Sequence, residues 1–167
     1  AARLGRLRAG GETGQAHVLL SEAAAGPARR LPVLVGELER AGLTSEVRTL
    51  LWEAASLPPG ALAAAAESLA DAGLIRDCRQ LLRQGAARPA AEAEAVAAVL
   101  WSSGRAGEAV TLLAALVRAR PAEEVAGAAV NAPAVVATLL EEAAQTVSPM
   151  HHYAVTSELR RAGVPPG

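Results

Sequence analysis

The side chains in this sequence that could do chemistry are few, and their spacing suits it poorly. His151 and His152 form the one local histidine cluster. Adjacent helical residues point about 100° apart, so the pair does not face one metal ion, and the i, i+4 spacing of helical zinc motifs is absent. Glu158 is the closest acid, and the two read as solvated histidines near a helix start. Cys78 would need an activating histidine or positive charge to act as a nucleophile. Arg76 and Arg79 are near it in sequence, but position 78 falls in a column of small core residues, where a free cysteine behaves as a small hydrophobe. The acidic pair Glu123-Glu124 lies in a first helical turn, where carboxylates complement the helix dipole. Glu141-Glu142 is mid-helix and solvated, and neither pair has a cleft or partner for acid–base work. Gly10-Gly11 and Gly14 follow a helix rather than a strand, which fails the context of a phosphate loop. With no nucleophile–base, metal or carboxylate constellation visible, the expectation is a non-enzyme without metal or cofactor.

What remains are residues suited to contact. Trp52 directly follows Leu50-Leu51, and Trp101 directly follows Leu100. Their equivalents along the chain are mostly polar or small: Ser21, Arg83, Ala114 and Glu141 for the first, Arg8, Glu39, Ala70, Ala128 and Arg160 for the second. Both tryptophans are therefore expected to be half-exposed, either as interface anchors or packed on a neighbouring repeat. Arginines cluster at Arg29-Arg30, at Arg118 and Arg120, and at Arg160-Arg161. The last two groups fall in final helical turns, where cations are favourable. Aligned across repeats, they would form a stripe for an acidic partner.

These residues are carried by a repeat. Leu-Leu pairs occur at 19–20, 50–51, 81–82, 112–113 and 139–140, spaced by 31, 31, 31 and 27 residues. Each pair follows a turn residue by eight and nine positions: Gly11, Gly42, Gly73, Gly104 and Asn131, with Gly163 continuing the series. Four positions before the turn stand Leu7, Leu38, Leu69, Leu100 and, in the last unit, Leu159. Five after it stand Ala16, Val47, Cys78, Ala109 and Val136. Prolines punctuate the other junction at Pro58-Pro59, Pro89, Pro121 and Pro149.

The pattern describes a helix pair. The first helix starts at proline, whose missing N–H is an orphan in a first turn anyway. It ends at glycine, which adopts the left-handed conformation that closes a helix, and Asn131 is the usual second choice for that conformation. The second helix follows at once, antiparallel, and carries the leucine pair. Pro89 lies fifteen residues before its turn and Pro121 only ten before Asn131, so the short unit has lost about one helical turn from its first helix. A short helix with a local change in curvature is expected there. The count is eleven helices, six of the first kind and five of the second.

Composition agrees with an all-α chain. Hydrophobic residues make up 51% and aromatics 2%, with no Phe, so the core must be Leu, Val and Ala. All 16 cations are arginine, and the scarcity of AT-rich codons points to a high-GC bacterial gene. A net charge of −1 shows no basic excess of the kind nucleic-acid modules carry. One cysteine excludes an internal disulfide and suits a reducing, cytoplasmic setting. No apolar run is long enough to span a membrane, and no signal peptide is visible. Repeat arrays need polar end caps. None is evident here, so the chain, 1–167, is expected to be a single section of a longer protein, able to self-associate through its uncapped ends.

The segment Leu100-Trp-Ser-Ser-Gly104-Arg-Ala-Gly-Glu108-Ala109-Val-Thr-Leu112-Leu113 resembles a tetratricopeptide or pentatricopeptide helix pair. Glu46, Asp77 and Glu108 match the acidic position of that superfamily, while Gln15 and Val135 depart from it. The resemblance covers nearly the whole chain and implies an α-α superhelix, a solenoid of five to six helix-turn-helix repeats. Its 31-residue unit is closer to the short pentatricopeptide class, and the tetratricopeptide aromatic positions are missing. Pentatricopeptide arrays read RNA through polar side chains at fixed positions. The main reading position falls here on Ala2, Val33, Ala64, Ala95, Ala122 and Ala154, none able to bond a base edge. The leading expectation is therefore a scaffold or sensor arm that binds a protein or peptide through the repeat surface. The alternatives are an RNA-binding array and a structural spacer or self-assembling repeat.

Overall fold

The computed structural model describes residues 2–3 and 13–165. Its described residues form ten α-helices and one 3₁₀ helix, with no strand. In order these are α1 (Thr13–Ala24), the 3₁₀ helix (Ala28–Arg30), α2 (Leu31–Arg40), α3 (Thr44–Ala55), α4 (Pro59–Asp71) and α5 (Ile75–Gly85). Then come α6 (Ala90–Ser102), α7 (Ala106–Ala119), α8 (Ala122–Ala129), α9 (Val135–Val147) and α10 (Pro149–Arg161). Of the expected first helix, Ala2 and Arg3 are helical, while Leu7, Arg8 and the turn at Gly10-Gly11 lie outside the described residues, as do Pro166 and Gly167. The chain divides into two compact units, residues 1–81 and 82–167, with the boundary inside α5.

The turns behave as glycine chemistry requires. Gly42, Gly73, Gly104 and Gly163 have φ between 73° and 78°, a region closed to most side chains. At each, the N–H of the next residue donates back to the leucine four before the glycine. The bonds are Leu43 to Leu38 at 2.9 Å, Leu74 to Leu69 at 2.9 Å, Arg105 to Leu100 at 2.8 Å and Val164 to Leu159 at 2.9 Å. The glycine N–H itself donates to Glu39, Ala70, Trp101 and Arg160 in turn. This pair of bonds satisfies carbonyls that a helix end would otherwise leave open. The same leucines have side chains no more than 2% exposed, so one residue closes the helix and fills the core.

Asn131 departs from the expectation. Every positive φ among the described residues belongs to glycine. Helix α8 ends with Val130 still right-handed (φ −56°, ψ −39°), and the N–H of Ala132 donates to the Ala129 carbonyl at 3.2 Å. Pro133 disfavours the helical conformation at Ala132, so the next helix cannot begin as soon after the turn position as it does elsewhere. The connection accordingly runs through residues 130–134, against 41–43, 72–74 and 103–105 elsewhere.

Prolines start the first-kind helices: Pro59 and Pro149 lie within the first turn, while Pro89 and Pro121 sit one residue ahead. Helix α8 has 8 residues where α6 and α10 have 13, as the missing turn predicts. Within 82–167, α6, α8 and α10 form one layer and α7 and α9 the other. α9 packs on α7 and α10 but barely on the short α8. Within 1–81, α1 packs on α3 and α2 on α4, again in two layers. The core is almost wholly Leu, Val and Ala, joined by Cys78, and the second members of the leucine pairs are 0–1% exposed from Leu20 to Leu140.

A contrast between two glycines tests this reading. Gly73→Ala is expected to destabilise by about 1–2 kcal/mol, because alanine resists positive φ. Gly60→Ala in the first turn of α4, where a Cβ meets nothing within 4 Å, is expected to be neutral or to stabilise by up to about 1 kcal/mol. Urea denaturation of both variants checks the sign.

Candidate functional site

No single constellation gathers the candidate residues, so each is placed within its own unit. In 1–81, Trp52 stands on the outer face of α3, 56% exposed. A groove of about 660 Å³ runs between the end of α1, the 3₁₀ helix and α2. Ala23, Pro27, Val33 and Leu34 give it an apolar lining, and Arg29, Arg30, Glu22 and Glu37 supply charge of both signs. Val33, one of the positions where an RNA-reading side chain would stand, is 61% exposed.

One cluster there contains the residue types of a nucleophilic triad in the wrong order. Ser21 Oγ donates to Glu53 Oε2 at 2.8 Å, and His17 Nε2 lies 3.2 Å from Glu53 Oε1. The carboxylate is the hub, so the histidine is not bonded to the serine as its base, and the trio ties α1 to α3 instead. Glu39 and Asp77 form a second carboxyl pair. Burial, then the hydrogen bond and charge of Asp77, raise the Glu39 carboxyl above its ordinary value, while Arg76 lowers it. Cys78 is buried, and its Sγ donates to the Ala66 carbonyl at 3.3 Å, in keeping with a packing role.

In 82–167, Trp101 is 47% exposed at the end of α6. Of the arginines singled out by position, Arg118 and Arg160 are exposed. Arg161 pairs with Glu158 at 3.0 Å. Arg120 is occupied within the fold. Its Nη2 donates to the carbonyls of Ala87 and Arg88, both at 3.0 Å, and its Nη1 to Glu124 at 3.1 Å. One guanidinium thus ties the connection after α5 to the start of α8, using its planar fork of donors. His151 is fixed locally, with its N–H donating to Ser148 Oγ at 3.1 Å and its Nδ1 2.7 Å from the same oxygen. Among the described residues, no three metal-ligating side chains come together.

Two features escaped the sequence reading. Arg88-Pro-Ala-Ala-Glu92 and Arg120-Pro-Ala-Glu-Glu124 share one pattern, and in both the arginine pairs with the glutamate four residues on. The recurrence was the available signal. Glu94 is fully buried, with neither carboxyl oxygen bonded among the described residues. It stands ten positions before its turn, where the other units have Ala1, Pro32, Ala63, Pro121 and Tyr153, so the one charge in an uncharged column was its signal. Burial pushes its carboxyl up to about 8.

No family model, curated protein or solved structure matches the chain. The class the structure defines is therefore coarse: an all-helical protein, in which no described helix is long and apolar enough to cross a membrane.

Glu94 sets a pH dependence whose sign follows from linkage. Below its ordinary value of 4.5 the carboxyl is protonated folded or unfolded. Between 4.5 and about 8 the unfolded chain releases a proton that the folded chain keeps, so stability falls as pH rises and levels off above that window. Each pKa unit is worth about 1.4 kcal/mol. Glu94→Ala, copying Ala63, is expected to flatten the profile and to be the more stable protein at the alkaline end, read by denaturation across that range. Arg120→Gln should destabilise by about 0.5–1.5 kcal/mol, through the loss of its hydrogen bonds to the Ala87 and Arg88 carbonyls. Thermal denaturation reads this directly.

Proposed function

We propose that this chain is a section of an α-α superhelix resembling tetratricopeptide and pentatricopeptide arrays, and that it serves as a protein–protein interaction scaffold. The helix-pair turns and the recurring buried columns support the repeat reading. The observation that carries the functional reading is the exposure of Trp52 and Trp101, large apolar side chains at positions where other units place mostly polar or small residues. A half-exposed tryptophan loses apolar surface to water, and it becomes a strong anchor once a partner covers it. The groove at the start of the chain adds apolar surface that Val33 leaves open. The positions that would read RNA hold only Ala2, Val33, Ala64, Ala95, Ala122 and Ala154, which ranks a protein partner above a nucleic acid.

The test uses photo-crosslinking from positions 52 and 101 in the native cell, with and without nuclease. Protein adducts that survive nuclease are expected, and Trp52→Ala and Trp101→Ala should reduce capture of the same partner while changing stability by no more than about 0.5 kcal/mol each. Adducts only to nucleic acid, or none at all, would contradict the reading.

A further inference from the structure

The charged side chains of residues 1–81 are sorted by helix. α2 and α4 expose both signs, with Glu37, Glu39, Arg40 and Asp71 at the surface. On α3 and α5 the acids are withdrawn. Glu46 and Asp77 are buried. Glu53, next to Trp52, accepts the Ser21 hydroxyl at 2.8 Å and has His17 at 3.2 Å. Glu22 on α1 lines the groove beside α2 instead. The cations of α3 and α5 remain outside. Arg48, Arg76 and Arg79 are exposed, and neither Arg48 nor Arg79 has an ion pair or hydrogen bond among the described residues.

Arg48 and Trp52 lie four residues apart on α3, which puts them on one face of that helix. Arg79 stands six residues after its turn glycine, as Arg48 does one unit earlier. α1 and α3 pack on one another as consecutive second-kind helices, and α5 is the next of that kind. The outer face of this layer thus carries an exposed tryptophan together with arginines that no carboxylate of the same helices matches. We propose that it binds an acidic segment of a partner protein. An apolar side chain of the segment would cover Trp52, and its carboxylates would meet the guanidinium groups of Arg48 and Arg79.

Charge selects the partner. A neutral segment could cover Trp52 but would leave both arginines without a counter-charge, and a basic one would be repelled. A long polyanion such as RNA fits less well. It would run against the exposed carboxylates of α2 and α4, and the chain, with a net charge of −1, has no basic excess to hold it. The inference rests on the scaffold reading and adds the sign of the partner's charge to it.

Three synthetic peptides of one amphipathic helical pattern test it, each with a leucine face flanked by glutamate, by glutamine or by lysine. They are titrated against the chain carrying Trp101→Phe, which leaves Trp52 as the sole tryptophan reporter. The glutamate peptide is expected to shift the Trp52 emission to the blue saturably, with a Kd on the order of 0.1 mM. The glutamine peptide should bind at least about tenfold more weakly, and the lysine peptide weakest of all. Arg48→Gln and Arg79→Gln should each weaken the glutamate peptide about two- to fivefold. Both side chains are exposed and unpaired, so the circular dichroism should stay the same, and Arg40→Gln on the other layer should leave binding unchanged. Equal binding of the glutamine peptide, tighter binding of oligouridylate, or no saturable shift would overturn the proposal. Such a failure with protein adducts still forming at positions 52 and 101 sinks the acidic partner alone, whereas loss of the adducts as well removes the scaffold reading with it.

Discussion

One hydrogen bond recurs at the closure of α2, α4, α6 and α10, and much of the structure depends on it. The residue after each turn glycine donates its N–H to the carbonyl of a leucine whose side chain is buried in the core. The bond needs a left-handed residue in between, and glycine takes that conformation without the clash a Cβ would bring. Backbone closure and side-chain burial are thereby set by the same leucine. Where a second helix follows, it must begin within two residues of the glycine, which puts its leucine pair back against the first. At three of the four sites the donating residue is Leu43, Leu74 or Val164, apolar side chains of the kind that pack over such a cap. Arg105 is the exception, and it turns instead toward Glu108 at 3.9 Å.

The unit that lacks this bond shows what it contributes. With Asn131 in place of glycine and Pro133 just after, the chain takes a longer path between α8 and α9, and the two helices scarcely pack on one another. The layer is held there by neighbours: α8 by α6 and α10, and α9 by α7 and α10. Arg120 reinforces the weak place by tying the start of α8 to the connection between α5 and α6. A deletion of a whole turn keeps the apolar face in register while leaving α8 at 8 residues.

Much of the fold was legible because it rests on periodic features. Leu38, Leu69 and Leu100, the glycines after them and the prolines before the next helices recur at a fixed interval, and each has a local physical role. Asn131 was misread because asparagine tolerates the left-handed conformation without requiring it, and here every positive φ among the described residues belongs to glycine. The functional residues were harder to see, since side-chain partners come from distant parts of the chain. Arg120 read as a free surface cation, and only the fold brings the carbonyls of Ala87 and Arg88 to it. Glu94 carried no reading of its own, and only the packing of α6 shows it fully buried, with neither carboxyl oxygen bonded among the described residues. The exposure of Trp52 and Trp101 was visible in advance because their columns hold residues of another kind.

Native-state hydrogen exchange at single amides tests the central claim most directly. If the glycine-closed turn organises each pair, the amides of Leu43, Leu74, Arg105 and Val164 should be protected far above other turn residues. That of Asn131, at the one joint built differently, should exchange quickly. Equal, rapid exchange at all of these amides would contradict the account. It would mean that side-chain packing alone holds the helix pairs and that the turns merely follow.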